Sequence, residues 1–307
     1  MDMMELSHIY FAGEDRPEEA GPGARPRTRL AAPRIRLPSH AAPKAKRGPA
    51  ITEALSPFLR FVLQQSGLGA GCYQPKALNR RVGACLRVLR APNEAAGLLM
   101  LKQNPELLRA SLSALLIGVS GFFRDSDVFE HLREVLVADA LRLSGAMRVY
   151  SAGCSAGQEL YSVAILLDEL GRLKRSRLLG VDCRSDAIEQ AKSGSFAVSE
   201  LDDIELQRKQ HYFRIGGHRA FILPSLRERI EWRVADLGLH NPDESWDLVL
   251  FRNVAIYLEA EDANSVWQQL DKQLKPGGLL VTGKAERPPE ALHWKRESAC
   301  IYRKQPV

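Results

Sequence analysis

Small residues crowd one stretch of the chain, Ser151-Ala-Gly-Cys-Ser-Ala-Gly157, between a run that reads as a strand and one that reads as a helix. A turn of this kind lets a ligand approach the backbone, and the helix behind it favours negative charge at its start. Only Gly153 and Gly157 are glycines, which falls short of the G-x-G-x-x-G that pyrophosphate requires, so the loop suits a nucleoside better than a dinucleotide. Asp182 closes the next strand, where a carboxylate can accept hydrogen bonds from both ribose hydroxyls. Ser185 is the better cap for the helix that follows. Glu159, in the first turn after the loop, is either a partner for the helix dipole or a counter-charge for a cationic ligand. Asp236, after a third parallel strand, is either an acceptor for an adenine amine or a solvent-facing turn residue. Phe251-Arg-Asn-Val-Ala-Ile-Tyr257 follows a fourth strand, and a buried Arg or Tyr there needs partners. In Ser120-Gly-Phe-Phe-Arg-Asp125 the paired Phe residues suit packing and Asp125 suits an N-cap, which leaves Arg124 without a structural duty.

A glycine turn followed by a strand-end acid at this distance is the adenosylmethionine arrangement of a Rossmann-like methyltransferase, with a nicotinamide enzyme as the alternative. The surrounding pattern supplies the scaffold. Strands are predicted at Arg148–Ala152, Leu178–Asp182, Ile230–Ala235, Trp246–Phe251, Leu279–Gly283 and Ala299–Arg303. Helices are predicted at Ala156–Leu170, Ser185–Lys192 and Glu261–Leu274, and Ser126–Leu141 precedes the first strand. Such alternation gives an α/β fold with a doubly wound, mostly parallel sheet. It breaks at about 196–229, where His211–Phe213 and Ala220–Leu223 around Gly216-Gly217 predict an inserted antiparallel β subdomain. Upstream, Ser56-Pro57 is a helix start ended by Gly67. From Lys76 to Arg90 the residues Leu78, Val82, Cys85, Leu86 and Leu89 mark one buried helical face. Lys76, Arg80, Arg87 and Arg90 gather opposite, flanked by Arg81. They form either a solvated face or a basic stripe for a partner, and the acids that would balance such a face are missing. The expected domains are therefore 1–50, a disordered tail; 51–125, a small all-α domain; and 126–307, the α/β domain.

The 307 residues, 45% hydrophobic and 26% charged, can bury a substantial core. Residues 25–47 hold eight Lys or Arg and no acid, so without them the net charge of +6 becomes −2. A basic arm could meet RNA, a membrane or an acidic partner, but a solvated linker is the simpler reading and nucleic acid is not the expected partner. The longest apolar stretches, such as Leu112–Val119, are far shorter than the roughly 20 residues of a membrane span, and a cytoplasmic location is expected. Five scattered cysteines predict reduced thiols and no metal centre.

The segments GVSGFFRD (118–125), SAGCSAGQELYS (151–162), GVD (180–182), HYF (211–213), VADL (234–237), FRNVAIYL (251–258) and LKPGGLLVTGKAE (274–286) resemble the CheR-type chemotaxis receptor glutamate methyltransferases over about 56–303. The resemblance implies a helical domain before a Rossmann-like domain with a β subdomain. It also implies S-adenosylmethionine as cofactor, S-adenosylhomocysteine as product, and glutamates on the cytoplasmic helical region of a chemoreceptor or related signalling protein as substrate. Ser120, Arg124, Gly153, Glu159, Asp182, Asp236, Leu237 and Arg252 would then line the cofactor, with Arg124 and Tyr257 nearest the transferred methyl. Lys76, Arg80, Arg87 and Arg90 would meet the Glu- and Gln-rich substrate helix. In family members that grip a tethering peptide the hairpin loop is longer, which implies that this short hairpin belongs with the tether-independent members. Ser120 replaces the usual Thr, Asp236 an Asn, Gln158 and Leu160 a Glu and a Pro, and GKAE a GHSE. Those departures keep open a catalytically inactive binding module, and the basic arm keeps open a methyltransferase of RNA or small molecules.

Overall fold

Residues 55–116, 120–142, 146–237 and 245–306 are described by the computed structural model, and all of them belong to one unit, Arg47–Val307. The expected arm at 1–50 lies outside them. Five helices come first: α1 Pro57–Gln65, α2 Pro75–Asn79, α3 Val82–Leu89, α4 Glu94–Gln103 and α5 Leu108–Leu115. Helix α1 starts as its sequence dictates. Ser56 Oγ accepts from Leu59 N at 3.2 Å, Pro57 takes the first turn, and Phe58, Leu59, Val62 and Leu63 are buried.

The single helix expected over 76–90 is instead two, interrupted at Arg80 and Arg81. Arg81 turns inward and donates from Nη2 to the Ala114 carbonyl on α5 at 3.2 Å, and the poor helix formers Val82 and Gly83 follow the break. The apolar face survives, with Leu78, Cys85 and Leu89 buried, and burial pushes the Cys85 thiol up to about 11. Lys76, Arg80, Arg87 and Arg90 are all exposed, but a continuous helical wheel no longer relates them.

Next come α6 Ser126–Arg142, β1 Arg148–Ala152, α7 Gln158–Glu169, β2 Arg177–Asp182 and α8 Ser185–Ser193. The inserted region holds β3 Ser195–Ala197, α9 Leu206–Tyr212, β4 Phe213–Gly216, β5 Arg219–Ile222 and α10 Pro224–Arg227. The chain ends with β6 Ile230–Val234, β7 Trp246–Phe251, α11 Ala260–Gln273, β8 Leu274–Thr282, β9 Trp294–Arg296 and β10 Ile301–Lys304. The main sheet runs β6-β2-β1-β7-β8-β10-β9, with the first five strands parallel and β10 antiparallel to both of its neighbours, β8 and β9. Side chains alternate between its faces, as the period of two requires. Val149, Leu178, Leu248 and Leu279 pack with α6, α7 and the β subdomain, whereas Tyr150, Leu179, Val249 and Leu280 pack with α11 and helices α1–α5.

Several boundaries differ from expectation. The hairpin begins at Phe213 because His211 and Tyr212 finish α9, and a third strand, β3, pairs with β5. Strand β8 starts at Leu274, so the Pro276-Gly277-Gly278 turn lies within it. Strand β10 starts at Ile301, two residues late.

Candidate active site

In the main sheet β1 lies between β2 and β7, so the connections leaving β1 and β7 diverge to opposite sides at the strands' carboxyl ends. A crevice at such a switch point is where open α/β sheets bind ligands. The Gly153–Gly157 turn sits in it. Gly153 and Cys154 both donate to the Val181 carbonyl, at 2.8 and 2.9 Å, which folds the turn back over β2. Gly153 has φ +77°, and a Cβ there would lie 2.5 Å from Val254 Cγ2. Gly157 has φ +90°, with Trp232 of β6 at 2.5 Å from its would-be Cβ. Glycine is therefore demanded at both positions by conformation and by space.

Asp182 fastens this turn. Its Oδ2 accepts from Ser155 N at 2.8 Å, and its Oδ1 from Arg184 N at 2.9 Å and Arg184 Nε at 3.1 Å. Arg184 also reaches Ser155 Oγ at 3.0 Å, so the buried pair joins the ends of β1 and β2. Ser185 does not cap α8; it is the first helical residue, and the Asp182 side chain organises the preceding turn. A carboxylate offers about four acceptor positions. Three are engaged, so a ribose diol would be met by the one remaining position together with a shift of Arg184.

At the adjoining end of the crevice, Arg252 is a node. Its side chain is fully buried and donates through Nη2 to Asp125 Oδ2 at 2.6 Å and to the Arg124 carbonyl at 3.1 Å, and through Nε to the Thr282 carbonyl at 3.3 Å. Its Nη1 lies 3.6 Å from Glu159 Oε2. Asp125 thus serves Arg252 with its side chain instead of capping α6, whose first turn takes its backbone carbonyl. Both Phe123 (φ +51°) and Asp125 (φ +59°) are left-handed, and this sharp segment carries Arg124 between them. The paired Phe residues do pack, Phe122 edge-on to Phe196 at 4.9 Å and Phe123 to Phe129 at 5.4 Å. Burial pushes the Glu159 carboxyl up, Arg252 and Arg124 pull it back, and Glu286 and Asp125 add to the rise.

The half-buried Asp236 and Leu237 follow β6. Asp236 and Asp182 both act, after burial and Cys183, to raise the Tyr73 hydroxyl, which places Tyr73 from the helical region at this end of the crevice. Helix α2 is tied there too, since Gln74 N donates to the Tyr257 carbonyl at 2.9 Å and Glu259 N to the Cys72 carbonyl at 2.8 Å. Tyr257 is half-buried in the turn Ala255–Tyr257. Ser120 is half-buried at the start of the Phe122–Asp125 segment. Of the sequence-predicted site residues, Arg124, Gly153, Glu159, Asp182, Asp236 and Arg252 are brought to the crevice, whereas Lys76, Arg80, Arg87 and Arg90 are exposed on α2, α3 and the residues flanking them. A cleft of about 620 Å³ whose lining includes Phe123, Phe129 and Arg208 is lined by none of these site residues.

Three residues escaped the sequence reading. Arg184 and Tyr73 lie outside any motif. Glu286 lay within a quoted motif, but three of the four backbone N–H groups its carboxylate accepts from, those of Asn253, Val254 and Ala255, are more than 30 residues away in sequence, the fourth being Gly283.

Glu159 Oε1 and Arg252 Nη1 are buried with no hydrogen-bond partner, an arrangement that suits a zwitterionic ligand bearing both ammonium and carboxylate. The family model described as CheR methyltransferase, SAM binding domain, matches residues 118–302, more than half of the chain. The chain belongs to the CheR methyltransferase family. Its curated relatives include the chemotaxis protein methyltransferase of Listeria innocua, 29% identical over 75% of this chain and 88% of the relative. That of Salmonella typhimurium is 30% identical over 74% and 81%, and chemotaxis protein methyltransferase 1 of Pseudomonas aeruginosa is 32% identical over 60% and 71%. This CheR methyltransferase is S-adenosylmethionine-dependent, and the buried polar atoms and close glycine turn of its crevice fit such a cofactor. Among the described residues no helix is long and apolar enough to cross a membrane.

A pH effect follows from Glu159. A cationic amine held against it favours the ionised form and so lowers its raised pKa. Binding of S-adenosylhomocysteine with its amine there should therefore release protons, and affinity should fall as pH drops through that pKa. Calorimetry in two buffers of different ionisation enthalpy measures the release; equal heats at acidic pH would contradict it.

Proposed function

We propose that this enzyme methyl-esterifies glutamate side chains on the cytoplasmic helical region of a chemoreceptor or related signalling protein. The observation that carries the reading is the Arg124–Arg252–Glu159 cluster beside the glycine turn. A glutamate, with a reference pKa near 4.3, is already ionised at neutral pH, so its methylation needs no general base. S-adenosylmethionine, when bound, supplies the electrophilic methyl. Asp182, Asp236 and Leu237 hold the nucleoside, Ser120 and Gly153 the chain beyond it, and Glu159 and Arg252 its charged end. Arg124 and Tyr257 orient the incoming carboxylate. A guanidinium bonded tightly to that nucleophile would stabilise the ground state, so Arg124 acts chiefly in orientation.

Recognition falls on the helical region. The turn between β4 and β5 is only Gly217-His218, which supports a tether-independent mode. Lys76, Arg80, Arg87 and Arg90 present positive charge to a helix bearing rows of Glu and Gln. This charge chiefly raises the encounter rate and is screened within about 8–10 Å at physiological salt. Reversing Arg80 and Arg87 to Glu should cut receptor methylation about tenfold at low salt, flatten its salt dependence, and leave S-adenosylhomocysteine affinity unchanged. If deleting residues 1–50 has that effect and the reversal has none, the exposed cations are a solvated face.

The substrate class is tested by incubating the protein with radiolabelled S-adenosylmethionine and receptor-containing membranes, then treating with base. Volatile methanol marks carboxyl esters. Label that survives base on protein, or appears on RNA, would sink the reading.

A further inference from the structure

The loop that leaves β7 is irregular up to the short 3-10 turn Ala255–Tyr257, and it carries two residues of the candidate site. Arg252 opens it and Tyr257 ends it. Asn253 between them is left-handed, at φ +59°, a conformation that costs a non-glycine residue free energy and persists only when its surroundings enforce it. The enforcing group is Glu286, which is 3% exposed. Its Oε2 accepts from Asn253 N at 2.6 Å and Gly283 N at 2.9 Å; its Oε1 accepts from Val254 N at 2.9 Å and Ala255 N at 2.8 Å. Three successive amides of one loop thus converge on one carboxylate from the end of the neighbouring strand. The seat is closely fitted. A Cβ on Gly283 would come within 2.6 Å of Glu286 Oε2 and 2.9 Å of Asn253 Nδ2.

We propose that Glu286 is the positioning residue of methyl transfer: it clamps 253–255 so that Arg252 and Tyr257 stay aimed at the crevice. The inference rests on the methyltransferase reading above for its kinetic consequence, but the clamp itself does not. Glutamine at 286 would turn an oxygen that accepts two amides into an NH2 group facing two donors. Such a reversal releases the loop without changing side-chain volume. Alanine at 283 would leave the carboxylate in the chain but push it off its seat.

The experiment compares wild type, Glu286→Gln and Gly283→Ala by hydrogen exchange, by S-adenosylhomocysteine calorimetry and by receptor methylation, each also in a Tyr257→Phe background. Both variants should exchange faster over 253–257 while 148–152 and 230–234 keep their protection. Turnover should fall on the order of 10²-fold, as a misplacement near 1 Å can cost, with receptor KM changed much less. The loss should shrink in the Tyr257→Phe background, because residues acting through one another are non-additive. Unchanged exchange at 253–257, or a loss that multiplies in full with Tyr257→Phe, overturns the proposal. If wild type itself makes no methyl ester, the substrate reading fails; the exchange and calorimetric results then still decide whether the clamp exists.

Discussion

Replacing Asp182 by Ala is expected to weaken S-adenosylhomocysteine binding by about 10²-fold or more, since charge-assisted hydrogen bonds are worth about 1.5–3 kcal/mol each. The substitution acts twice, because the same carboxylate holds Ser155 N and the buried Arg184. Removing one partner of a buried ion pair costs about 3–5 kcal/mol, most of it the uncompensated charge left behind. The double variant Asp182→Ala, Arg184→Ala separates the two effects. It should recover much of the lost thermal stability and none of the lost affinity. A ribose-deoxy analogue of S-adenosylhomocysteine should bind wild type and Asp182→Ala with a much smaller difference than the natural ligand does. Equal differences for both ligands would mean that Asp182 shapes the turn without touching the ribose.

Arg252→Ala is expected to be the most damaging single change in the crevice. It takes from the Asp125 carboxylate its closest cation, leaving Lys284 at 3.6 Å, takes from the buried Glu159 the stronger of its two cations, and leaves the carbonyls of Arg124 and Thr282 without this donor. A loss of about 3–5 kcal/mol follows, which lowers the melting temperature of a chain this size by roughly 6–20 °C. Glu159 loses the stronger of the two cations that pull its carboxyl down, so its proton is held to higher pH and a cationic ligand meets a weaker partner. Turnover should fall by more than 10²-fold. Lysine at 252 should recover only part of this, because one ammonium cannot reproduce the planar fork that bonds Asp125 and two carbonyls together. Calorimetry, scanning calorimetry and the methanol-release assay report the three quantities. A variant that melts within 2 °C of wild type and still binds S-adenosylhomocysteine would show that the Arg252 network is dispensable.

Much of this was legible in the chain because the signals are local. Strands β1 and β7 fall where the alternation of strands and helices places them, since a strand buried on both faces has little choice of residue. The glycine turn declared itself because only glycine tolerates both the left-handed backbone and the approach of Val254 and Trp232. Ser56-Pro57 started a helix because a cap is chemistry between near neighbours.

Tertiary structure alone decided what depends on distant partners. Arg81 reads as one more cation on a helix until the Ala114 carbonyl, 33 residues on, draws it inward and the helix parts. Asp125 has every local mark of an N-cap, yet an arginine 127 residues away makes a stronger bond than a backbone amide does. Glu286 is an acid after a strand in the sequence. It becomes a clamp only because parallel pairing of β7 with β8 brings the amides of 253–255 to its carboxylate. Propensity and periodicity record the interactions of residues a few positions apart, and burial of charge is settled by whichever partners the fold delivers.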